Sequence, residues 1–151
     1  MNDLLDQIKT RVEELLAPAK YDDPFGYPTP PTVHIGALPP KRSEDPSARD
    51  FPFVLIRPAH GQDDRSQRLL MVRLVCGVYA DEDIASGVSQ VHDLAARLLA
   101  VQSNRNFTPY RLDLPVAWRS GDGEDFAQPH PYYLVTIDLR FKAPPLADIK
   151  G

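Results

Sequence analysis

Residues Arg68 to Tyr79 read RLLMVRLVCGVY, between the polar stretch HGQDDRSQ and the acidic ADED. The run is proline-free and rich in β-formers, so it reads as a strand. At about 3.3 Å per residue, twelve residues extend about 40 Å, twice the usual strand and long enough to protrude from a sheet. Side chains alternate across a strand. Leu70, Val72, Leu74, Cys76 and Val78 therefore share one face, and Leu69, Met71, Val75 and Tyr79 share the other. Both faces are largely apolar. One suits packed helices, and the second needs a cover of its own.

Upstream, Phe51 to Arg57 (FPFVLIR) is a second strand bounded by Pro58, and Pro52 near its start marks an edge strand or a strand entry. Gly61 and the paired Asp63 and Asp64 suit the tip of a long hairpin between the two. Downstream, Asp81, Glu82 and Asp83 sit where a helix macrodipole favours negative charge. A helix follows to about Val101, with Ile84, Val88, Val91, Ala95, Leu98 and Leu99 as its buried stripe and Gly87 a mild penalty. Phe107 to Leu114 and Val116 to Trp118 read as a strand interrupted by Pro115, and residues 119–128 carry turn chemistry. Tyr132 to Phe141 alternates strictly, with Tyr133, Val135, Ile137, Leu139 and Phe141 facing inward and Thr136, Asp138 and Arg140 outward.

At the N-terminus, Leu4, Leu5, Ile8, Val12, Leu15 and Leu16 recur at helical spacing up to Pro18. YDDPFGYPTPP can neither continue that helix nor enter a central strand. Thr32 to Ile35 is a short strand, and Gly36 to Asp50 is an exposed excursion. The expected fold is α+β: an antiparallel sheet with a long hairpin and two helices packed on one face. The 151 residues form one domain, with Pro-rich loops over 18–50 and a C-terminal tail over 142–151.

Ten of the sixteen prolines lie between Pro18 and Pro58 and none between Ala59 and Thr108, so they mark stiff connections in a folded chain. A formal charge of −4 disfavours a domain that lives on phosphate contacts. The 12 arginines are scattered along the chain. No apolar run reaches the roughly 20 residues of a membrane span. The chain is expected to be soluble and unexported. Cys76 is alone, which excludes an intramolecular disulfide, and it reads as an inert buried thiol. His34, His60, His92 and His130 lack metal-ligand spacing, and no phosphate loop or nucleophile elbow occurs. His92 reads as a solvated or partly packed helix residue, and His130 as part of a rigid turn between Pro129 and Pro131. Asp122, Glu124 and Asp125 lie in a turn, where acids usually face water. No cofactor or metal is expected.

Three strings then stand out: FPFVLIRPAHG from Phe51, VRLVCGVYADED from Val72, and PVAW from Pro115 paired with QPHPYYLVTIDLRFKAP from Gln128. In this order they resemble the tail terminator (tail completion) proteins of long-tailed bacteriophages, over most of the chain. The resemblance implies a structural, non-enzymatic virion subunit. Copies would form a ring, commonly a hexamer, that caps the tail tube and offers a joining surface to the head or neck. The implied partners are the chain itself, the tail tube protein and a head-completion or neck protein. DNA would pass only as cargo, no membrane is involved, and assembly would take place in the bacterial host cytoplasm. The expected subunit interface is Leu69, Met71, Val75 and Tyr79, with Trp118 and Tyr132. The alternatives are another head–tail connector of stopper or adaptor type, or a small hydrolase using the 122–130 loop.

Overall fold

The computed structural model describes residues 2–36, 51–121 and 130–144. The excursion expected over Gly36 to Asp50 falls, after Gly36, outside the described residues, as do Asp122, Glu124 and Asp125. Element order is α1 (Asn2–Leu16), β1 (Tyr21–Asp22), β2 (Pro28–Thr29), β3 (Thr32–Ile35), β4 (Phe53–Asp63), β5 (Arg68–Tyr79), α2 (Ile84–Leu99), a 3₁₀ turn (Ala100–Ser103), β6 (Asn106–Phe107), β7 (Tyr110–Ser120) and β8 (Tyr132–Ala143).

Six strands form one sheet in the order β3-β4-β5-β8-β7-β6. The class is α+β, but the sheet is mixed and not wholly antiparallel, because β3 pairs parallel with β4, Thr32 opposite Phe53. β4 and β5 make the long hairpin. Its tip is only Asp64 to Gln67, where the Asp64 carboxylate accepts from the Ser66 amide (2.7 Å), the Ser66 hydroxyl (2.8 Å) and the Gln67 amide (2.9 Å). These bonds hold the Asp64 carboxyl below its usual range. β4 thus runs past Pro58, where it was expected to stop. β3 pairs no further than Ile56, so beyond that point β4 is an edge strand, and a register shift between Pro58 and His60 absorbs the proline.

The hairpin does not project beyond the sheet. β8 flanks β5 along its whole length, from Tyr79 opposite Tyr132 to Arg68 opposite Ala143. Lys142 and Ala143, assigned to the tail, therefore belong to β8. β7 is continuous through Pro115, because its pairing with β8 lapses between Asp113 and Ala117, where the missing amide costs no ladder bond. The loop after α1 also contains structure: β1 and β2 form a separate two-stranded sheet.

Both helices cover the Leu70–Val78 face of β5. Leu4, Ile8 and Val12 of α1 and Val91, Leu94 and Leu98 of α2 join Val72, Leu74, Cys76, Val135, Ile137 and Leu139 in one core. Asp83 caps α2, accepting from the Ser86 amide at 2.6 Å. The buried stripe differs from the expected one at both kinds of position: Ile84 is 64% exposed, while Gly87 and Leu94 are buried. At Gly87 the helix backbone lies against the Tyr133 ring so closely that a β-carbon would overlap it. This glycine is a contact point and not merely a helix penalty.

Candidate subunit interface

The other face of the sheet follows from strand alternation and register. It presents Phe53, Leu55, Arg57, His60 and Gln62 from β4, and Leu69, Met71, Arg73, Val75, Gly77 and Tyr79 from β5. β8 adds Tyr132, Leu134, Thr136, Asp138, Arg140 and Lys142, and β7 adds Arg111, Asp113, Ala117 and Arg119. Three zones divide it.

At one end is an apolar cluster of Phe53, Leu55 and Val75, flanked by Phe51 and Leu134. Phe51 lies 5.0 Å from Phe53 and 5.1 Å from Tyr132, and Tyr132 lies 5.6 Å from Tyr79, between ring centroids. Phe51 and Phe53 can approach the β5 backbone closely because residue 77 is glycine. A β-carbon there would come within 2.5 Å of Phe53 Cε1 and 2.9 Å of Leu134 Cδ2. No helix residue belongs to this cluster.

The middle zone is ionic. Asp138, with 15% of its side chain exposed, accepts from Arg73 Nε at 2.9 Å and Arg119 Nη1 at 3.1 Å. Arg57 lies opposite Arg73 in the adjacent strand. Arg119 Nε is buried and finds no acceptor among the described residues. Thr136 is buried beside this zone and donates its hydroxyl proton to the Gly121 carbonyl at 2.9 Å. At the hairpin end, an open cleft of about 410 Å³ is lined by His60, Gln62, Leu69, Met71, Asp113 and Arg140, among others.

The six residues expected at an interface thus occupy different places. Leu69 and Met71 line the cleft and are half-buried. Tyr79 and Tyr132 meet at the aromatic end, also half-buried. Val75 is only 8% exposed, covered by its own chain. Trp118 is 51% exposed but lies on the helix side, opposite Ile137 and 5.5 Å from the His92 ring of α2. Sequence reasoning missed the arginines. Scattered in sequence, Arg57, Arg73, Arg111, Arg119 and Arg140 are gathered by the fold onto one face. The signal was period two: Arg73 falls in phase with Leu69, Met71 and Val75.

The Cys76 thiol and the imidazoles of His34, His92 and His130 bond within the chain. Burial pushes the Cys76 thiol up to about 12, and it donates to the Val135 carbonyl. His92 Nδ1 pairs with the Val88 carbonyl at 2.8 Å, and His34 with Thr32 Oγ1 at 3.1 Å. His130 is exposed on its turn and pairs with the Tyr133 hydroxyl. Burial and the Asp83 carboxylate raise the Tyr133 phenol. Among the described residues, no three metal-ligating side chains converge, and no helix is long and apolar enough to cross a membrane. No protein-family model matches the chain, and no curated protein matches it in sequence.

Proposed function

We propose that this chain is a structural subunit that assembles with its own copies into a ring, commonly a hexamer, which terminates a bacteriophage tail tube and joins it to the head or neck. The observation that carries the reading is the second sheet face. It combines half-buried Leu69, Met71, Tyr79 and Tyr132 with arginines and is covered by neither helix. Such a face suits a protein contact, where aromatic, methionine and arginine side chains are enriched. The strings that resemble tail terminators cover β8 and parts of β4, β5 and β7, strands that build this face. A contact between unlike patches propagates in one direction and can close into a ring.

Light scattering on the eluting protein, with electron micrographs of the same fractions, tests the assembly. Several copies, about six, seen end-on as a ring are expected, and the ring should cosediment with tail tubes. A chain that stays monomeric at high concentration and leaves tube ends bare refutes the proposal. Capture by a portal-side protein and not by the tube would favour the connector alternative.

A further inference from the structure

Charge is divided between the two sides of the molecule. Among the described residues, the open face carries six cations, Arg57, Arg73, Arg111, Arg119, Arg140 and Lys142, against two carboxylates, Asp113 and Asp138. The helix side is the reverse. Asp3, Asp6, Glu13 and Glu14 stand on α1 against Lys9 and Arg11. Asp81, Glu82, Asp83 and Asp93 lie at or before α2 and on it, against Arg97. A chain that is acidic in total therefore has one basic face.

We infer that the basic open face of one copy docks on the acidic helix layer of the next copy. This rests on the ring reading and specifies the surfaces that meet. Among the described residues, Arg57 and Arg111 have no carboxylate at ion-pair distance, and Asp138 serves two guanidinium groups at once. The face thus holds more positive charge than its own strands neutralise. The complementary charge in the described structure lies on the opposite side of the same molecule. Two copies can satisfy both surfaces only head to tail. Half-buried Tyr79 and Tyr132 at one end of the face and Leu69 and Met71 at the other supply apolar contact area, while the charges set orientation and encounter rate.

A nucleic acid fits the same face less well. Its aromatic rings pack against one another instead of standing free for base stacking, and two carboxylates sit among the cations.

The test uses the full chain in three variants: Arg57→Glu with Arg140→Glu, Asp6→Lys with Glu13→Lys, and all four together. The four substituted positions are solvent-exposed, and circular dichroism confirms the fold of each variant. Sedimentation equilibrium then gives the dissociation constant of the assembly between about 0.05 and 0.5 M salt. Each double variant should weaken association about tenfold or more. The fourfold swap should return it to within about threefold of the parent, and salt should weaken the parent. Assembly indifferent to the swaps overturns this contact while leaving the ring reading intact. Swap-sensitive association that yields open filaments or dimers supports the contact and overturns the ring. Monomers at every concentration overturn both. Duplex DNA binding abolished by the arginine pair, with association unchanged, overturns the contact in favour of a nucleic-acid face.

Discussion

On one side of β5, Leu70, Val72, Leu74, Cys76 and Val78 lie under two helices in a continuous core. On the other, Leu69, Met71, Arg73, Val75 and Tyr79 share their face with four further arginines and lie under neither helix. Both sets are read from the same twelve residues, and both look largely apolar in the strand alone. The difference comes from the neighbours. β8 supplies Val135, Ile137, Leu139 and Phe141 to the covered face, but Thr136, Asp138, Arg140 and Lys142 to the open one. A strand's own pattern therefore shows which residues share a face, and the flanking strands decide whether that face belongs to a core.

The sharpest way to break this contrast is a pair of truncations. Leu74→Ala should cost about 2–5 kcal/mol of unfolding free energy, because it opens a cavity in a packed core. Met71→Ala, half-exposed in the isolated subunit, should cost less than about 1 kcal/mol. Urea denaturation of dilute protein measures both. Equal losses would mean that the open face is sealed within the subunit. Next in size is Gly87→Ala. Despite the better helix propensity of alanine, overpacking against Tyr133 should cost about 1–3 kcal/mol. A stabilised variant would show that α2 can move off the sheet freely.

Much of the covered side was legible in sequence. The bounds of β5 and β3 match the hydrophobic alternation, and α1 matches its 3.6-residue stripe. The parallel pairing of β3 was not legible, because the four residues TVHI alternate alike in either direction and their partner is remote in sequence. Pro58 read as a strand end and Pro115 as an interruption because their tolerance depends on which neighbour they lack, and that is a property of the sheet. On the open face the apolar residues of β5 were legible, but those of β4 and the cations were not. Arg57, Arg73 and Arg119 come from three strands and meet only through register.

That ionic zone can be tested alone. Asp138→Asn keeps the side chain's shape but removes the charge shared by Arg73 and Arg119. Both arginines are partly solvated, so the loss should be about 1 kcal/mol and smaller in high salt. A neutral result in dilute salt would mean that the arginines rest on other partners.

The smallest effect concerns the polar clasp at the rim of the covered side. Tyr21 of β1 donates its hydroxyl proton to Asp93 Oδ2 of α2 at 2.6 Å, and Arg97 Nε lies 3.2 Å from the same oxygen. The bond holds the Asp93 carboxyl below its usual range, while burial and then this carboxylate raise the Tyr21 phenol. Because Asp93 is largely solvated, Tyr21→Phe should cost only about 0.5–1 kcal/mol near neutral pH. The sign of the pH dependence follows from the two shifts. The Asp93 contribution is present above its unfolded value of about 3.9 and disappears as pH falls through the lower folded value. The Tyr21 contribution is present below about 10 and disappears as pH rises toward the higher folded value. The stability gap between parent and variant should therefore form a plateau from about pH 5 to 9 and close at both ends. A gap that stays constant down to pH 3 would mean that the variant has lost packing alone, and that the clasp adds nothing to the cover over the inner face of β5.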